Sequence, residues 1–247
     1  MAFSRTQVDR LGERLRRGDV SDDDLRLLDE YRLSFAEPYA EVVTVLRDRL
    51  GLAPTGRRGK STKSIIDKLN RESARLSQVQ DIAGCRVVTT SVGEQDRVVE
   101  SIRERFDSVA VIDRRTRPSS GYRAVHLVVA VGDRRIEIQV RTALQQLWAE
   151  LSERLSDRYG IAVKYGGGEA TTRDMLDDLS QHVAAVEVAV QSIDAHLTEL
   201  ARWRDPSGSD PALERRVEGF HAARQLNFDE ARSLLLQAIA RFTASND

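Results

Sequence analysis

Apolar positions along the chain change spacing twice, from helical to alternating and back to helical. Between Val20 and Gly51, "SDDDLRLLDEYRLSFAEPYAEVVTVLRDRL" repeats apolar residues every three or four positions behind a Ser21 cap and three acids. That pattern predicts two or three helix segments, with a break at Pro38. "LAPTGRRG" predicts a loop and "KSTKSIIDKLNRESARL" a helix; "GCRVVTTS" predicts a short β-branched strand, "GEQDRVVESIRERF" a helix and "SVAVID" another strand. "YRAVHLVVAV" and "RRIEIQVR" then alternate, separated only by Gly132-Asp133, which is a hairpin signal. Helical spacing returns in "ALQQLWAELSERLSDRYG", where Leu144, Leu147, Trp148, Leu151 and Leu155 fall on one stripe. The glycine-rich "IAVKYGGGEA" predicts a mobile loop. Residues 171–204 predict one long helix, "DPSGSDP" a linker, and 212–226 with 229–243 a helical hairpin like a single tetratricopeptide unit.

Strands alternating with helices, and flanked by helices at both ends, predict an α/β (α+β) architecture: a mixed sheet of about five strands with a hairpin, covered by helices. Three blocks follow: N-terminal helices packing on the core at 1–56, the core at 57–168, and a helical extension at 169–247 with a linker at 205–211.

Charge changes this picture. The formal net charge of −1 conceals 9 basic and 11 acidic residues in 1–56, 21 and 14 in 57–168, and 8 and 14 in 169–247. A core of +7 between acidic flanks predicts an anionic ligand met by the middle of the chain. No apolar run approaches membrane-spanning length, since Glu187 interrupts "VAAVEVAV", so no membrane is expected. The N-terminus lacks the apolar core of a signal peptide, which predicts a cytoplasmic protein. Cys85 is the single cysteine, which excludes an internal disulfide and a cysteine-based zinc cluster; its apolar strand context assigns it to the core.

Hairpin geometry then gathers chemistry. With Gly132-Asp133 as the turn, His126 falls opposite Gln139 and Ala124 opposite Arg141. Ile136, Ile138 and Val140 take one face, while Glu137, Gln139 and Arg141 share the other with Tyr122, Ala124 and His126. A solvated sheet face could carry that mixture. The same groups also suit a purine nucleotide: a ring for stacking, a guanidinium fork for phosphate, and a carboxylate as a hard oxygen for magnesium, with Ala124 leaving room. Upstream, Lys60, Ser64 and Lys68 recur every four residues behind Arg58, so that one side of a helix N-terminus presents a row suited to a polyphosphate. By itself a basic helix face is usually only solvated, and the spacing is not that of a Walker loop. Asp81, just before a strand that carries Gly84 and Arg86, is either a metal carboxylate or an ordinary loop aspartate.

Together these segments resemble the synthetase domain of the RelA/SpoT family, the (p)ppGpp or alarmone synthetases. "RGKSTKSIIDKL" is similar to the family's Arg-x-Lys-x-x-x-Ser-x-x-x-Lys segment, "DIAGCRVV" to Asp-Ile-Ala-Gly-x-Arg, "GYRAVH" to Gly-Tyr-Arg-Ser-x-His, and "EIQVRT" to Glu-Ile-Gln-x-Arg-Thr. The resemblance implies a nucleotidyltransferase-like fold and transfer of the β,γ-pyrophosphate of ATP to the ribose 3′-hydroxyl of GDP or GTP. It further implies that Arg58, Lys60, Ser64 and Lys68 hold ATP with Arg86 neutralising charge nearby, and that Asp81 and Glu137 are the catalytic carboxylates serving Mg2+. Glu137 would assist deprotonation, Tyr122 would stack on the acceptor base, and His126, Gln139 and Arg141 would arrange phosphates and ribose. The family's long members carry a hydrolase domain with a His-Asp motif; none of His126, His182, His196 and His221 precedes an Asp, so synthesis without hydrolysis is expected.

The chain departs from the family before the Gly-Tyr pair, where Arg117-Pro118-Ser119-Ser120 replaces the common Pro-Lys-x-Asn and Ala124 replaces a serine. Arg115 or Arg117 could restore the lost charge, although a guanidinium is not equivalent to an ammonium. Acceptor identity rests on this loop. One alternative is a toxin-type relative acting on the 3′ CCA end of tRNA or on an adenine nucleotide. A second is a catalytically weakened nucleotide-binding module, against which the intact Asp81 and Glu137 argue. The acidic C-terminal helices fit either a homo-oligomer interface or an intrachain cap on the basic core.

Overall fold

The computed structural model describes residues 3–57, 59–202 and 210–243. Helix α1 (Arg5–Arg17) starts where Ser4 Oγ accepts the Gln7 N–H and ends at Gly18, whose φ of 78° is the left-handed cap conformation. Helix α2 (Asp22–Leu33) opens on a reciprocal capping box between Ser21 and Asp24. Helix α3 (Ala36–Thr44) contains Pro38 in its first turn, where a missing N–H costs no intrahelical bond, so the break falls at Ser34-Phe35 instead. The helical path continues as a π turn over Val45–Arg49.

The expected loop at 52–59 contains a strand, β1 (Thr55–Arg57), which pairs antiparallel with β2 (Ala83–Thr89), Gly56 facing Cys85. Three residues centred on a glycine are too few for alternation to register. Gly56 has φ 156°, and a Cβ there would lie 2.6 Å from the Gly84 carbonyl oxygen, so the two backbones approach as only glycine permits. Between these strands runs α4 (Thr62–Glu72), followed by a 3-10 turn at Leu76–Gln78. Then come α5 (Val92–Arg105), β3 (Val109–Asp113), β4 (Val125–Val131) and β5 (Arg134–Thr142).

The five strands form one sheet in the order β1-β2-β5-β4-β3. β4 and β5 are joined by the expected turn, with Gly132 at φ 58°. β3 and β4 run antiparallel, since the bonds Arg114 N–H to Ala124 O and Ala130 N–H to Ser108 O keep a constant residue sum. β2 and β5 run parallel, because Gly84 lies against Glu137 while Thr89 Oγ1 donates to the Arg141 carbonyl. The sheet is therefore mixed, as expected.

Helix α6 (Ala143–Tyr159) follows β5 directly, then a 3-10 turn at Ile161–Tyr165, α7 (Ala170–Arg202) and α8 (Pro211–Thr243). Two expectations are corrected here. The stretch predicted as a loop contains the 3-10 turn Ile161–Tyr165, whose Val163 packs into the apolar cluster of α6. The predicted helical hairpin is one unbroken 33-residue helix, α8. Asn227, the one poor helix former at the presumed turn, stays in the helix by donating its amide to the Ala223 carbonyl. Pro211 is the first residue of α8; 205–209 of the predicted linker lie outside the described residues.

The chain forms two compact units, each interleaved in sequence rather than serial. The first comprises Met1–Val87, Val98–Ile112 and His126–Val140; the second comprises Val88–Arg97, Asp113–Val125 and Arg141–Asp247. In the first, Leu11, Leu28, Ile65, Leu69, Ile136 and Ile138 are fully buried. Each such side chain contributes about 1.5–3 kcal/mol of hydrophobic stabilisation. Arg134, at the hairpin turn, lies 5.3–5.8 Å from the ring centroids of Phe3, Tyr31 and Phe35, and its Nε donates to Ser34 Oγ at 2.9 Å. The second unit is centred on Trp148, Leu151 and Leu155 of α6, Leu176, Val183 and Val190 of α7, and Leu235 of α8. No helix among the described residues is long and apolar enough to cross a membrane.

Candidate functional site

In the first unit, Asp81 is gripped by two lysines: Lys60 Nζ at 2.6 Å on Oδ2 and Lys68 Nζ at 2.8 Å on Oδ1. Local structure explains the convergence. Ser61 caps α4 by accepting the Ser64 N–H, which places Lys68 two turns along the helix, while the Lys60 N–H donates to the Ile82 carbonyl beside Asp81. Lys60 thus precedes the helix instead of lying on it, yet meets the same carboxylate as Lys68. Ser64 Oγ shares a 2.7 Å hydrogen bond with Ser61 Oγ in the first turn. Arg58 lies outside the described residues. Burial pushes the Asp81 carboxyl up, but the two ammonium groups outweigh it and hold the group below its ordinary 3.8. Lys68 is correspondingly raised: burial opposes its charge and Asp81 more than compensates.

Also in the first unit, Glu137 stands on β5 between two partners. Its Oε1 lies 2.8 Å from His126 Nδ1, and its Oε2 accepts from Gln139 Nε2 at 2.8 Å. Strand alternation explains the grouping: Ile136, Ile138 and Val140 are fully buried on the opposite face. Burial pushes the Glu137 carboxyl up, and the hydrogen bond and charge of His126 more than reverse it, so the net direction is down. Asp81 is within electrostatic reach of Glu137, and Glu137 of Lys68. Gly84 makes space on this face, because a Cβ there would sit 2.7 Å from the Glu137 carbonyl oxygen and 3.3 Å from its Cβ. Arg86 follows Gly84 on the same side of β2 and is half-buried. Cys85 points the other way, with its thiol pushed up to about 12 by burial and the Glu137 charge. A thiol held neutral in this way is core and takes no part in chemistry.

The second unit holds Tyr122 and Arg141. Arg141 is 4% exposed; its Nε and Nη2 donate to the Tyr122 hydroxyl at 3.2 and 2.7 Å, its Nη1 to Gln146 Oε1 at 2.9 Å, and its guanidinium lies 5.0 Å from the Tyr122 ring centroid. Tyr122 is not on the hairpin strand, contrary to expectation, since β4 begins at Val125. It closes a tight turn with Ser119, in which Ser120 and Gly121 take φ of 50° and 78°. Gly121 is required there: a Cβ would lie 2.7 Å from the Trp148 ring.

The arginine-rich loop carries less free charge than its composition suggests. Arg115 is tied to Asp113 and Asp96 at 2.6 Å each. Arg123 donates to the Arg115 carbonyl and to Ser180 Oγ. Arg117 is exposed and makes no ion pair among the described residues. Sequence reasoning passed over Ser180, Gln145 and Glu187. Ser180 Oγ donates to the Gly121 carbonyl at 2.6 Å, and Glu187 accepts from Thr142 and Gln145. The signal was present as Glu187 interrupting an apolar stripe, but it could be read only once α7 had partners.

Among the described residues no cluster of three or more His, Cys, Asp or Glu side chains forms a ready metal cage. The hard donors in this unit's site are the Asp81 and Glu137 carboxylates, each bonded on both oxygens in this structure; two carboxylates are the number a magnesium ion takes from protein when phosphate oxygens complete its shell.

Comparison with known proteins places the chain in a family. Residues 57–161 match the model of the region found in RelA / SpoT proteins. The uncharacterized protein Rv1366 of Mycobacterium tuberculosis is 38% identical over 241 residues, covering 95% of this chain and 82% of that protein. The Bacillus subtilis GTP pyrophosphokinase YjbM is 34% identical over 117 residues, 41% of this chain and 55% of YjbM. Among solved structures, the small alarmone synthetase 1 from Bacillus subtilis aligns with a TM-score of 0.54 at 25% identity, covering 72% of this chain and all of that one. With four sequence motifs, the matched RelA / SpoT region, a mixed five-stranded sheet and a relative that shares 38% identity over 95% of the chain, the chain belongs to the RelA/SpoT family.

Proposed function

We propose that this chain is an alarmone synthetase, transferring the β,γ-pyrophosphate of ATP to the ribose 3′-hydroxyl of GDP or GTP. The observation that carries this reading is the Glu137 carboxylate, held ionised between His126 and Gln139 and within electrostatic reach of the Asp81–Lys60–Lys68 cluster. Pyrophosphoryl transfer asks a protein for alignment of two anionic substrates and for dispersal of their charge. The chain supplies both kinds of group.

Lys60 and Lys68, with Arg58, Ser64 and Arg86, serve the ATP phosphates. Exchange of the two ammonium groups from Asp81 to the incoming phosphates releases that carboxylate as a ligand. Asp81 and Glu137 are the residues that would hold Mg2+, which would supply charge neutralisation on the transferred group. Glu137 accepts the proton of the 3′-hydroxyl as its oxygen bonds to the β-phosphorus and the bond from that phosphorus to the α-phosphate oxygen breaks, leaving AMP. His126 and Gln139 keep the carboxylate aimed. Tyr122 stacks on the acceptor base and Arg141, buried against the tyrosine hydroxyl, fixes the ring.

A mononucleotide acceptor is favoured over the CCA end of tRNA because Arg115 and Arg123 are engaged inside the fold, which leaves Arg117 and Arg114 as the loop cations available to a long anion. The test is transfer from γ-labelled ATP with magnesium to GDP, GTP, AMP, ATP or deacylated tRNA, each offered separately. Label on GDP or GTP is expected. Label confined to tRNA or to an adenine nucleotide replaces the acceptor, and ATP binding without transfer replaces the enzyme with a nucleotide-binding module.

A further inference from the structure

We infer that Ser180 and Glu187 of α7 are positioning residues for the acceptor, gripping the chain on both sides of Tyr122 and immediately after Arg141. The inference rests on the reading of Tyr122 and Arg141 as the acceptor pair. Ser180 Oγ donates to the Gly121 carbonyl at 2.6 Å and accepts from Arg123 Nε at 3.2 Å, so one hydroxyl holds the residues on either side of Tyr122. Glu187 accepts from the Thr142 hydroxyl, and from Gln145 Nε2 at 3.0 and 3.1 Å. Thr142 is the residue after Arg141 and the cap of α6.

The network is closed. Gln145 Oε1 accepts the Thr142 N–H at 3.2 Å and Gln95 Nε2 at 3.0 Å, which leaves its amide nitrogen directed at Glu187. Ser180 and Glu187 are seven residues apart, two helical turns, and therefore share a stripe with the buried Val183 and Val190. Packing would be served as well by alanine and an aliphatic residue at these positions. A hydroxyl and a carboxylate on a buried stripe carry a desolvation cost unless they are bonded, and here the bonds lead to Gly121 and Arg123 beside Tyr122, to Thr142 beside Arg141, and to Gln145, which itself accepts the Thr142 N–H. Burial pushes the Glu187 carboxyl up, and its bonds to Thr142 and Gln145 with the charges of Arg123 and Arg115 offset only part of that rise. The C-terminal extension is on this basis part of the acceptor site.

Hydrogen exchange and steady-state kinetics on the full chain test this, comparing wild type with Ser180→Ala, Glu187→Gln and the hydroxyl-retaining Ser180→Thr. Ser180→Ala is expected to speed exchange in 119–124, and Glu187→Gln in 141–146, with 60–69 and 81–87 unchanged. KM for the guanosine acceptor should rise about three- to tenfold, the loss of one or two hydrogen bonds, with KM for ATP unaltered and Ser180→Thr closer to wild type. Unchanged exchange in those segments overturns the inference. So does exchange that rises throughout the chain, or an equal rise in both KM values, since either makes the residues merely structural. A wild-type protein that transfers nothing to a guanosine nucleotide removes the proposed function instead, and leaves the exchange comparison readable.

Discussion

Glu137 and His126 meet across the hairpin, Oε1 to Nδ1 at 2.8 Å, and the contact leaves the other carboxylate oxygen to Gln139. Both partners hold the carboxylate in one orientation and, by favouring its charged form, keep it ionised through the neutral range.

Glu137→Gln should therefore abolish transfer, lowering kcat by about 10²–10⁴-fold, while ATP binding measured by calorimetry without turnover persists. Turnover near wild type would remove Glu137 from its assigned role. His126→Ala should cost less, since the carboxylate remains and only its aim is lost.

Asp81→Asn should destabilise the protein at pH 7 by about 2 kcal/mol, because two ammonium groups lose their shared counter-ion. The carboxyl is lowered from 3.8 in the folded state, so its contribution is complete above the unfolded value and is lost as pH falls through the folded one. Urea denaturation at stepped pH should show the gap between wild type and variant narrowing below about pH 4. A gap independent of pH between 7 and 3 contradicts the ion pairing.

Arg141→Lys should raise KM for the acceptor more than KM for ATP. A lysine cannot replace two donors to the Tyr122 hydroxyl and one to Gln146. Equal effects on both substrates would place Arg141 elsewhere in the reaction.

Gly84→Ala should impair both folding and activity, as the added methyl would press to 2.7 Å on the Glu137 carbonyl. The expected cost is about 1–3 kcal/mol in chemical denaturation, with a fall in kcat from displacement of Glu137. Wild-type kcat in this variant would show that strand β5 tolerates the shift.

Arg134→Ala should lower stability by about 1–3 kcal/mol without altering either KM, since three aromatic rings and Ser34 lose a common partner. A selective change in a KM would link the hairpin turn to the substrates.

Much of the first cluster was legible. The four-residue spacing of Ser64 and Lys68 and the alternation of Glu137 with Gln139 are short-range patterns, and these side chains lie close to where those patterns put them. Lys60 shows the limit: it precedes α4, and it reaches Asp81 through a backbone bond to Ile82 that no periodicity encodes. The alternation around Tyr122 predicts a strand there, whereas left-handed residues at Ser120 and Gly121 turn the chain before the ladder begins. Strand β1 is too short for alternation to register, and a hairpin predicted from the tetratricopeptide-like pair 212–226 and 229–243 is instead one helix, through which Asn227 passes by donating to the Ala223 carbonyl.

The sequence by itself determined the succession of helices and strands apart from β1 and the continuity of α8, the basic core between acidic flanks, and the grouping of His126 with Glu137 and Gln139 on one face of the hairpin. These follow from periodicity, charge and turn chemistry over a few residues. Tertiary structure decided which charges are engaged: that Asp81 holds two lysines, that Arg115 is locked inward while Arg117 is not, and that Ser180 and Glu187 reach the neighbours of Tyr122 and Arg141. Pairing and desolvation depend on atoms brought together from positions 13 to 59 residues apart, and only the folded chain brings them together.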